Sequence, residues 1–183
     1  HKYPVAVSQA KVAYRWLLEN RANKVSVCGD SAGAYIGACL SHALVRDSYS
    51  KPHSQLLIYP TCGPDCGFES MELFADGFYL LKKDFRWFWR HFMDDGVGQD
   101  SHFDLLDVKN SVRLPRTMIV TAGFDPICDE GRAYAEVLHK LDIDVRLFHY
   151  ETLFHGFAFM TKLRAAGTAV NDFLIEYKKV LRD

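Results

Sequence analysis

What this chain lacks already excludes several classes of protein. No run of apolar residues is long enough to cross a bilayer, so we expect no stable membrane insertion. The net charge is only −1, which gives no basic excess for nucleic acid to bind. There are no internal repeats and no low-complexity linker. Hydrophobic residues make up 49% and charged residues 25%, shares that are ordinary for one folded domain with a core of its own.

Cysteine is scarce, and its spacing does not indicate a metal site. Cys62 and Cys66 flank a Gly-Pro-Asp turn but have no second Cys or His pair beside them, so we expect neither a metal nor a cofactor. A Cys62–Cys66 disulfide is an alternative. The odd total of five cysteines favours reduced thiols and, with them, a cytoplasmic location, although the sequence does not decide the compartment. Cys28 and Cys39 are predicted to be buried thiols, one on a strand and one on a helix.

Strands alternate with helices along the chain, which predicts an α/β fold with a mostly parallel sheet flanked by helices. Strands are predicted at Lys24–Cys28, Gln55–Tyr59, Thr117–Thr121 and Val145–Tyr150, and helices at Val5–Asn20, Ala34–Val45, Lys82–Phe92, Glu130–Leu141 and Lys162–Leu181.

The most informative motif is Gly29-Asp30-Ser31-Ala32-Gly33, which lies between a predicted strand and a predicted helix. Gly-x-Ser-x-Gly in this context is typical of a nucleophile elbow, a tight turn that exposes the serine hydroxyl at the end of the sheet. Glycines on both sides would let strand and helix approach closely. An ordinary glycine-rich turn that helps packing is the alternative. The strand before and the helix after favour the elbow, but a base and an acid are still required to support it.

Asp125 is the candidate acid, because it follows the apolar run Arg116–Thr121 at the predicted end of a strand. An alternative role for Asp125 is to cap a helix ahead of Pro126, and the two roles are compatible. Asp129 and Glu130 are competing acids, but helix geometry is expected to carry them away from the strand edge.

His155 is the candidate base, because it follows the strand of residues 144–150 and completes the chain order Ser, Asp, His. Two other histidines come after Asp125. His149 lies within the strand and is interpreted as a half-buried strand residue, whereas His139 falls inside a helix.

These motifs together resemble those of the hormone-sensitive-lipase-like family of α/β-hydrolases, as do Tyr3-Pro4 and Tyr59-Pro60. The resemblance covers essentially the whole chain and implies a serine esterase with a helical cap. It implies that Ser31 is the nucleophile, Asp125 the acid and His155 the base, and that the Ala32 N–H contributes to an oxyanion hole. Within the elbow, Gly29 and Gly33 would be packing residues, and Asp30 would have a structural role.

The chain departs from the family in one respect, since the His-Gly-Gly motif that completes the oxyanion hole is absent before Gly29. We therefore expect a chain truncated at its N-terminus, with the elbow strand at the edge of an incomplete sheet and with low stability on its own. Because one oxyanion donor contributes about 10²–10³ to kcat, such a fragment is expected to be weakly active or inactive.

Residues 61–113 form an aromatic-rich insert that is expected to belong to the cap, within one partial domain that spans residues 1–183. Phe78, Trp87 and Phe157 are predicted to contribute to a substrate pocket, although most aromatic rings of the insert are expected simply to pack the cap on the core. Asp94–Asp100 lacks the spacing of an EF-hand and is predicted to be a solvated loop.

The resulting hypothesis is hydrolysis of short- to medium-chain carboxylic esters through an acyl-enzyme, with a small-molecule ester as the substrate. An amide hydrolase or deacetylase with the same triad stays open as an alternative, as does an inactive or non-catalytic ligand-binding member of the fold. His155 argues against the non-catalytic class, because the plant gibberellin receptors of this family have lost that histidine. Trypsin-like proteases are excluded by the order of Ser31 and its partners. A homodimer is compatible with the sequence.

Overall fold

The computed structural model describes residues 1–64, 67–93, 104–108 and 113–182. Within these residues, one sheet of four parallel strands follows the chain order β1-β2-β3-β4. The strands are β1 (Val27–Asp30), β2 (Ser54–Ile58), β3 (Arg116–Phe124) and β4 (Val145–Phe154). The prediction of a parallel α/β sheet is therefore confirmed, and both β3 and β4 continue beyond their predicted ends.

Helices connect successive strands and lie on both faces of this sheet. Their bounds are α1 (Val5–Asn20), α2 (Ala32–Arg46), α3 (Glu69–Leu73), α4 (Lys82–Phe92), α5 (Cys128–Lys140) and α6 (Arg164–Arg182). The bounds of α1 and α4 match their predicted ranges. Helix α2 begins two residues earlier than predicted because the turn at Ser31 leads directly into it.

Alternation along the central strands divides the core into two layers. Leu57 and Ile119 point toward the layer formed with α2 and α5. Met118 and Val120 point toward the opposite layer, which α6 covers through residues such as Phe173. Burial on both faces explains why β2 and β3 are almost continuously apolar.

Strand β1 lies at the edge of the sheet, because β2 is its only pairing partner among the described residues. The prediction that Cys28 is a buried thiol is wrong, since Cys28 is exposed. Cys28 pairs with Leu56, whose side chain faces the layer beneath α6, but Cys28 lies one strand further out. Cys39 is buried on α2, as predicted.

The insert between β2 and β3 is described in three parts: residues 61–64, residues 67–93 with α3 and α4, and residues 104–108. Its described side chains Met71, Phe85, Trp89 and Leu105 pack into the same core layer as α2 and α5. Cys66, and with it the alternative disulfide, lies outside the described residues, as does the predicted loop Asp94–Asp100.

Candidate active site

Four residues come together at the carboxyl edge of the sheet, each directly after a strand. Ser31 follows β1, Tyr59 follows β2, Asp125 follows β3 and His155 follows β4. Parallel strands that run side by side bring these positions to one edge, which is where open α/β sheets bind ligands.

The turn at Ser31 is strained and depends on one neighbouring glycine. Ser31 has φ 50° and ψ −121°, a backbone conformation that residues with a side chain rarely adopt. Its N–H donates to the carbonyl oxygen of Ile58 at 2.8 Å, which fixes the turn to the end of β2. A Cβ on Gly29 would lie 2.3 Å from the Gly33 carbonyl oxygen, so only glycine fits there. A Cβ on Gly33 would meet only Asp30 Oδ1, at 4.0 Å, so Gly33 is not sterically required.

A continuous chain of hydrogen bonds joins Ser31, His155 and Asp125. His155 Nδ1 lies 2.8 Å from Asp125 Oδ2, and His155 Nε2 lies 2.9 Å from Ser31 Oγ. A proton on Nδ1, donated to the carboxylate, leaves Nε2 free to accept the serine O–H. Asp125 is fully buried and His155 nearly so, which strengthens these contacts by excluding water. The arrangement has the geometry that nucleophilic activation of a serine needs.

Asp125 is also held from its own side. Its Oδ1 accepts the N–H of Ile127 at 3.0 Å, and its backbone oxygen accepts the N–H of Cys128 at 3.0 Å. The residue that caps α5 is Ile127, so Asp125 lies just outside the helix. The carboxylate therefore enters the site from a short, rigid turn rather than from a flexible loop.

The two competing acids point elsewhere. Asp129 Oδ2 accepts the N–H of Ser70 at 3.0 Å, and Glu130 Oε2 accepts bonds from Thr61 and Cys62. Both carboxylates thus contact the insert rather than His155, as expected from their position in the helix.

The two competing histidines are likewise remote from Ser31. His149 Nδ1 lies 2.9 Å from Thr121 Oγ1 within the sheet, and burial lowers the pKa of His149 below its ordinary value. His139 lies in the last turn of α5.

Aromatic rings and a glycine turn hold the loop that carries His155. The Tyr59 ring lies 4.7 Å from the His155 ring, centroid to centroid, and restricts its rotation. Gly156 adopts φ 79°, and a Cβ there would lie 2.9 Å from the Tyr79 ring. Only glycine allows this close approach without strain.

Ala32 begins α2 immediately after Ser31. The first N–H groups of a helix have no acceptor within the helix, and they lie at the positive end of its dipole. The Ala32 N–H is one of these groups and directly follows Ser31 in the chain.

An apolar cavity of about 470 Å³ opens beside Ser31. This volume lies within the usual range for small-molecule sites. The cavity is lined by Ser31, Ala32, Tyr35, Ile36, Thr61, Leu80, Phe85, Phe88, Trp89, His91, Phe92 and Ile127.

The three side chains predicted from the sequence to form a pocket lie outside this lining. Phe78 stacks on Phe124, with ring centroids 5.3 Å apart. Trp87 is 49% exposed on the outer face of α4. Phe157 is fully buried against Tyr59 in the core layer beneath α6, because the turn at residue 156 directs it inward.

Helical periodicity could have identified the residues of α4 that line this cavity. Phe85, Phe88, Trp89 and Phe92 recur at the spacing of one helix face, and Trp87 falls on the opposite face. Tyr35 and Ile36 lie one turn beyond Ser31 on α2, a position that follows directly from the elbow. These positions differ from the three pocket residues that the sequence predicts.

The described residues contain no group of three or more His, Cys, Asp or Glu side chains placed to hold a metal ion. None of their helices combines the length and apolar character that a membrane span requires.

Comparison with known sequences gives consistent results. A family model described as an alpha/beta hydrolase fold matches residues 1–159. The chain is 32% identical over 189 residues to carboxylic ester hydrolase LipN of Mycobacterium tuberculosis, covering 96% of this chain and 50% of that protein. It is 32% identical over 194 residues to carboxylesterase NlhH of the same species, covering 99% of this chain and 60% of that protein. The chain thus spans only about half to three fifths of these relatives.

Solved structures show the same architecture. A thermostable esterase from Pseudomonas putida superposes with a TM-score of 0.88 at 25% identity, over 93% of this chain and 57% of that chain. Carboxyl esterase 2 from Tuber melanosporum also gives a TM-score of 0.88 at 25% identity, over 98% of this chain and 64% of that chain.

Proposed function

This chain belongs to the α/β-hydrolase family, in its hormone-sensitive-lipase-like branch, and from that premise we propose that it carries the catalytic triad of a serine carboxylesterase. The observation that carries the proposal is the hydrogen-bonded chain Ser31–His155–Asp125 at the carboxyl edge of the sheet. The names of the relatives, carboxylic ester hydrolase and carboxylesterase, support the same reaction class.

In the proposed reaction, His155 Nε2 takes the proton from Ser31 Oγ as that oxygen attacks the ester carbonyl. Asp125 stabilises the imidazolium that forms and keeps the Nδ1 proton in place. The carbonyl oxygen gains negative charge and receives a hydrogen bond from the Ala32 N–H. His155 then gives its proton to the departing alkoxide, which leaves an acyl group on Ser31. A water molecule, deprotonated by His155, releases the acid and restores the serine hydroxyl.

The cavity beside Ser31 is proposed to bind the acyl part of the ester. The departing alcohol oxygen must lie within hydrogen-bond reach of His155, so the alcohol occupies the His155 side of Ser31. The cavity lining includes Ser31 and Ala32 but not His155. The cavity therefore lies on the other side of Ser31 from the alcohol and is proposed to hold the acyl chain. Its apolar walls and limited volume favour acyl chains of short to medium length.

The domain organisation is proposed to be one α/β-hydrolase domain in which residues 61–113 contribute to a cap over the site. Phe85 and Trp89 support this division, because they connect the insert to the core while lining the cavity. A small-molecule ester is the proposed partner, and whether two copies of the protein associate is left open.

Replacing the serine tests the proposed function. In the natural full-length protein, Ser31→Ala is expected to lower kcat for p-nitrophenyl butyrate by at least about 10⁴-fold, because it removes the hydroxyl that is hydrogen-bonded to His155 Nε2. His155→Gln should give a similar loss. Ser8→Ala and His139→Gln are matched controls at exposed helical positions and should retain full activity. Comparable turnover by Ser31→Ala and the unmutated protein would refute the proposal.

A further inference from the structure

Glu130 is a buried carboxylate to which the proposed mechanism gives no part. It lies in the first turn of α5, and its side chain is 1% exposed. Burial of an ionisable group without partners is costly, so a fully buried glutamate needs specific hydrogen bonds. The partners of Glu130 therefore indicate what it holds in place.

Those partners are the first two residues of the insert after Pro60. Glu130 Oε2 accepts the Cys62 N–H at 2.7 Å and the Thr61 Oγ1–H at 3.0 Å. The Cys62 thiol donates in addition to the Glu130 backbone oxygen at 3.4 Å. One residue of α5 thus fixes both the backbone and the side chains at the start of the insert.

This short segment is part of the cavity wall. Thr61 lines the cavity together with Ser31, and Cys62 is fully buried behind it. The Cys62 carbonyl oxygen in turn accepts the N–H of Leu105, a buried residue from the far end of the insert. Displacement of Thr61 and Cys62 would therefore change the shape of the cavity without moving Ser31.

Two further features keep the start of α5 close to the sheet and to the insert. A Cβ on Gly131 would lie 2.7 Å from Thr121 Cγ2, so glycine allows α5 to approach the sheet closely. Ser70 makes a second connection, since its N–H donates to Asp129 Oδ2 and its hydroxyl donates to the Pro126 oxygen. Two successive acids of α5 thus attach two separate parts of the insert beside the turn that presents Asp125.

We propose that Glu130 is a positioning residue for acyl-chain binding, an inference that rests on the proposed esterase function. Its carboxylate holds Thr61 and Cys62, and thereby sets the wall against which acyl groups larger than acetyl pack. Glu130 has no part in the proton transfers at Ser31. Its loss should therefore weaken the binding of longer acyl chains while leaving the chemical step nearly intact.

The protonation of Glu130 adds a distinctive signature. The pKa of Glu130 is raised to about 7, with burial as the main cause and the nearby Asp125 carboxylate as a smaller one, while the bonds from Cys62 and Thr61 oppose the rise. The titratable groups beside Glu130 are Asp125, from the turn before α5, and Cys62, whose thiol contacts the Glu130 backbone oxygen. As the pH falls below 7 the carboxylate is neutralised and its hydrogen bonds weaken. The KM for longer esters should therefore rise toward acid pH.

The test compares Glu130→Gln with the unmutated full-length protein on p-nitrophenyl acetate and p-nitrophenyl hexanoate between pH 6 and pH 8.5. At pH 8 the variant should raise KM for hexanoate by about threefold to tenfold, because a neutral amide oxygen accepts the Cys62 N–H and the Thr61 hydroxyl more weakly than a carboxylate does. Its kcat and both constants for acetate should stay within about twofold. The variant should also lose the rise of hexanoate KM toward acid pH. Glu136→Gln, at an exposed position of the same helix, is the matched control.

The inference would be overturned if Glu130→Gln left the KM for hexanoate unchanged, or if it raised the KM for acetate and for hexanoate by the same factor. If Glu130→Gln does not fold, Thr61→Val removes the same side-chain bond while keeping its shape, and it should raise hexanoate KM in the same way. If the unmutated protein cleaves neither ester, the proposed function itself fails. In that case the role of Glu130 in shaping the cavity is tested by calorimetric binding of p-nitrophenyl hexyl ether. Equal affinity of Glu130→Gln and the unmutated protein for this ether would overturn the inference.

Discussion

Gly29 and Gly33 flank Ser31 symmetrically in the sequence but not in the structure. Only at Gly29 does the backbone of the following helix leave no space for a side chain. The positive φ of Ser31 is thus stabilised from one side by this close approach and from the other by the hydrogen bond to the Ile58 oxygen. The strain directs the hydroxyl toward His155 rather than along the strand.

The choice of acid can be tested with a matched pair of substitutions. Asp125→Asn should lower kcat by about 10⁴-fold, because the amide no longer favours the histidine tautomer that accepts the serine proton. Asp129→Asn should change kcat by less than about threefold, since an amide oxygen can still accept the Ser70 N–H. Steady-state kinetics with p-nitrophenyl butyrate measures both. A larger loss from Asp129→Asn than from Asp125→Asn would contradict the assignment.

The positions of Ser31, Asp125 and His155 could be predicted from the sequence because each follows directly from strand ends and chain order. The residues that pack against these three side chains could not be predicted in the same way. That Tyr59 packs on the His155 ring depends on how far β2 and β4, which lie on either side of β3, extend toward the site, and a single-sequence pattern does not fix those lengths.

At the scale of the element, the composition of helix α4 does not indicate which of its faces is buried. Aromatic residues occupy both faces. In the structure, Phe85 and Trp89 are buried in the core and line the cavity, whereas Trp87 is 49% exposed and lies outside the lining. Phe88 lies at the margin of the buried face, since it lines the cavity and is 55% exposed. The buried face is decided by tertiary contact with Tyr35 on α2, whose ring lies 5.0 Å from Trp89 in an edge-on geometry.

Two tryptophans of α4 provide the corresponding prediction. Trp89→Ala should lower the free energy of unfolding by about 3–5 kcal/mol, because it removes a large buried ring. Trp87→Ala, at an exposed position two residues away, should lower it by less than about 1 kcal/mol. Urea denaturation followed by far-UV circular dichroism measures both changes. Equal destabilisation by the two substitutions would contradict the described orientation of α4.

At the scale of the whole molecule, the site lies at the carboxyl ends of the parallel strands. Within the described residues, β1 and β4 are the two outermost strands of the sheet. The parallel topology was predictable from the alternation of strands and helices. The exposure of Cys28 was not, because it depends on how far α6 reaches across the sheet. The expected low stability of this 183-residue segment on its own stays a prediction.

The pH dependence of global stability provides a further prediction, through Glu130. Its pKa is raised from an ordinary 4.5 to about 7, so between these values the folded protein holds a proton that the unfolded chain has released. Stability therefore falls as the pH rises through this window, by up to about 3 kcal/mol from this group alone. Glu130→Gln lacks the effect, so it should gain stability relative to the unmutated protein between pH 5 and pH 8. Urea titrations at both pH values measure this difference, and identical pH dependence in the two proteins would contradict it.

The central claim is that Ser31 is the nucleophile activated by His155 and Asp125. It is tested most directly by treating the natural full-length protein with an alkyl fluorophosphonate and locating the adduct by peptide mass spectrometry. The account predicts one stoichiometric adduct on Ser31, slowed at least about 10³-fold by His155→Gln and absent in Ser31→Ala. Labelling at another residue, or undiminished labelling of Ser31→Ala, would contradict it.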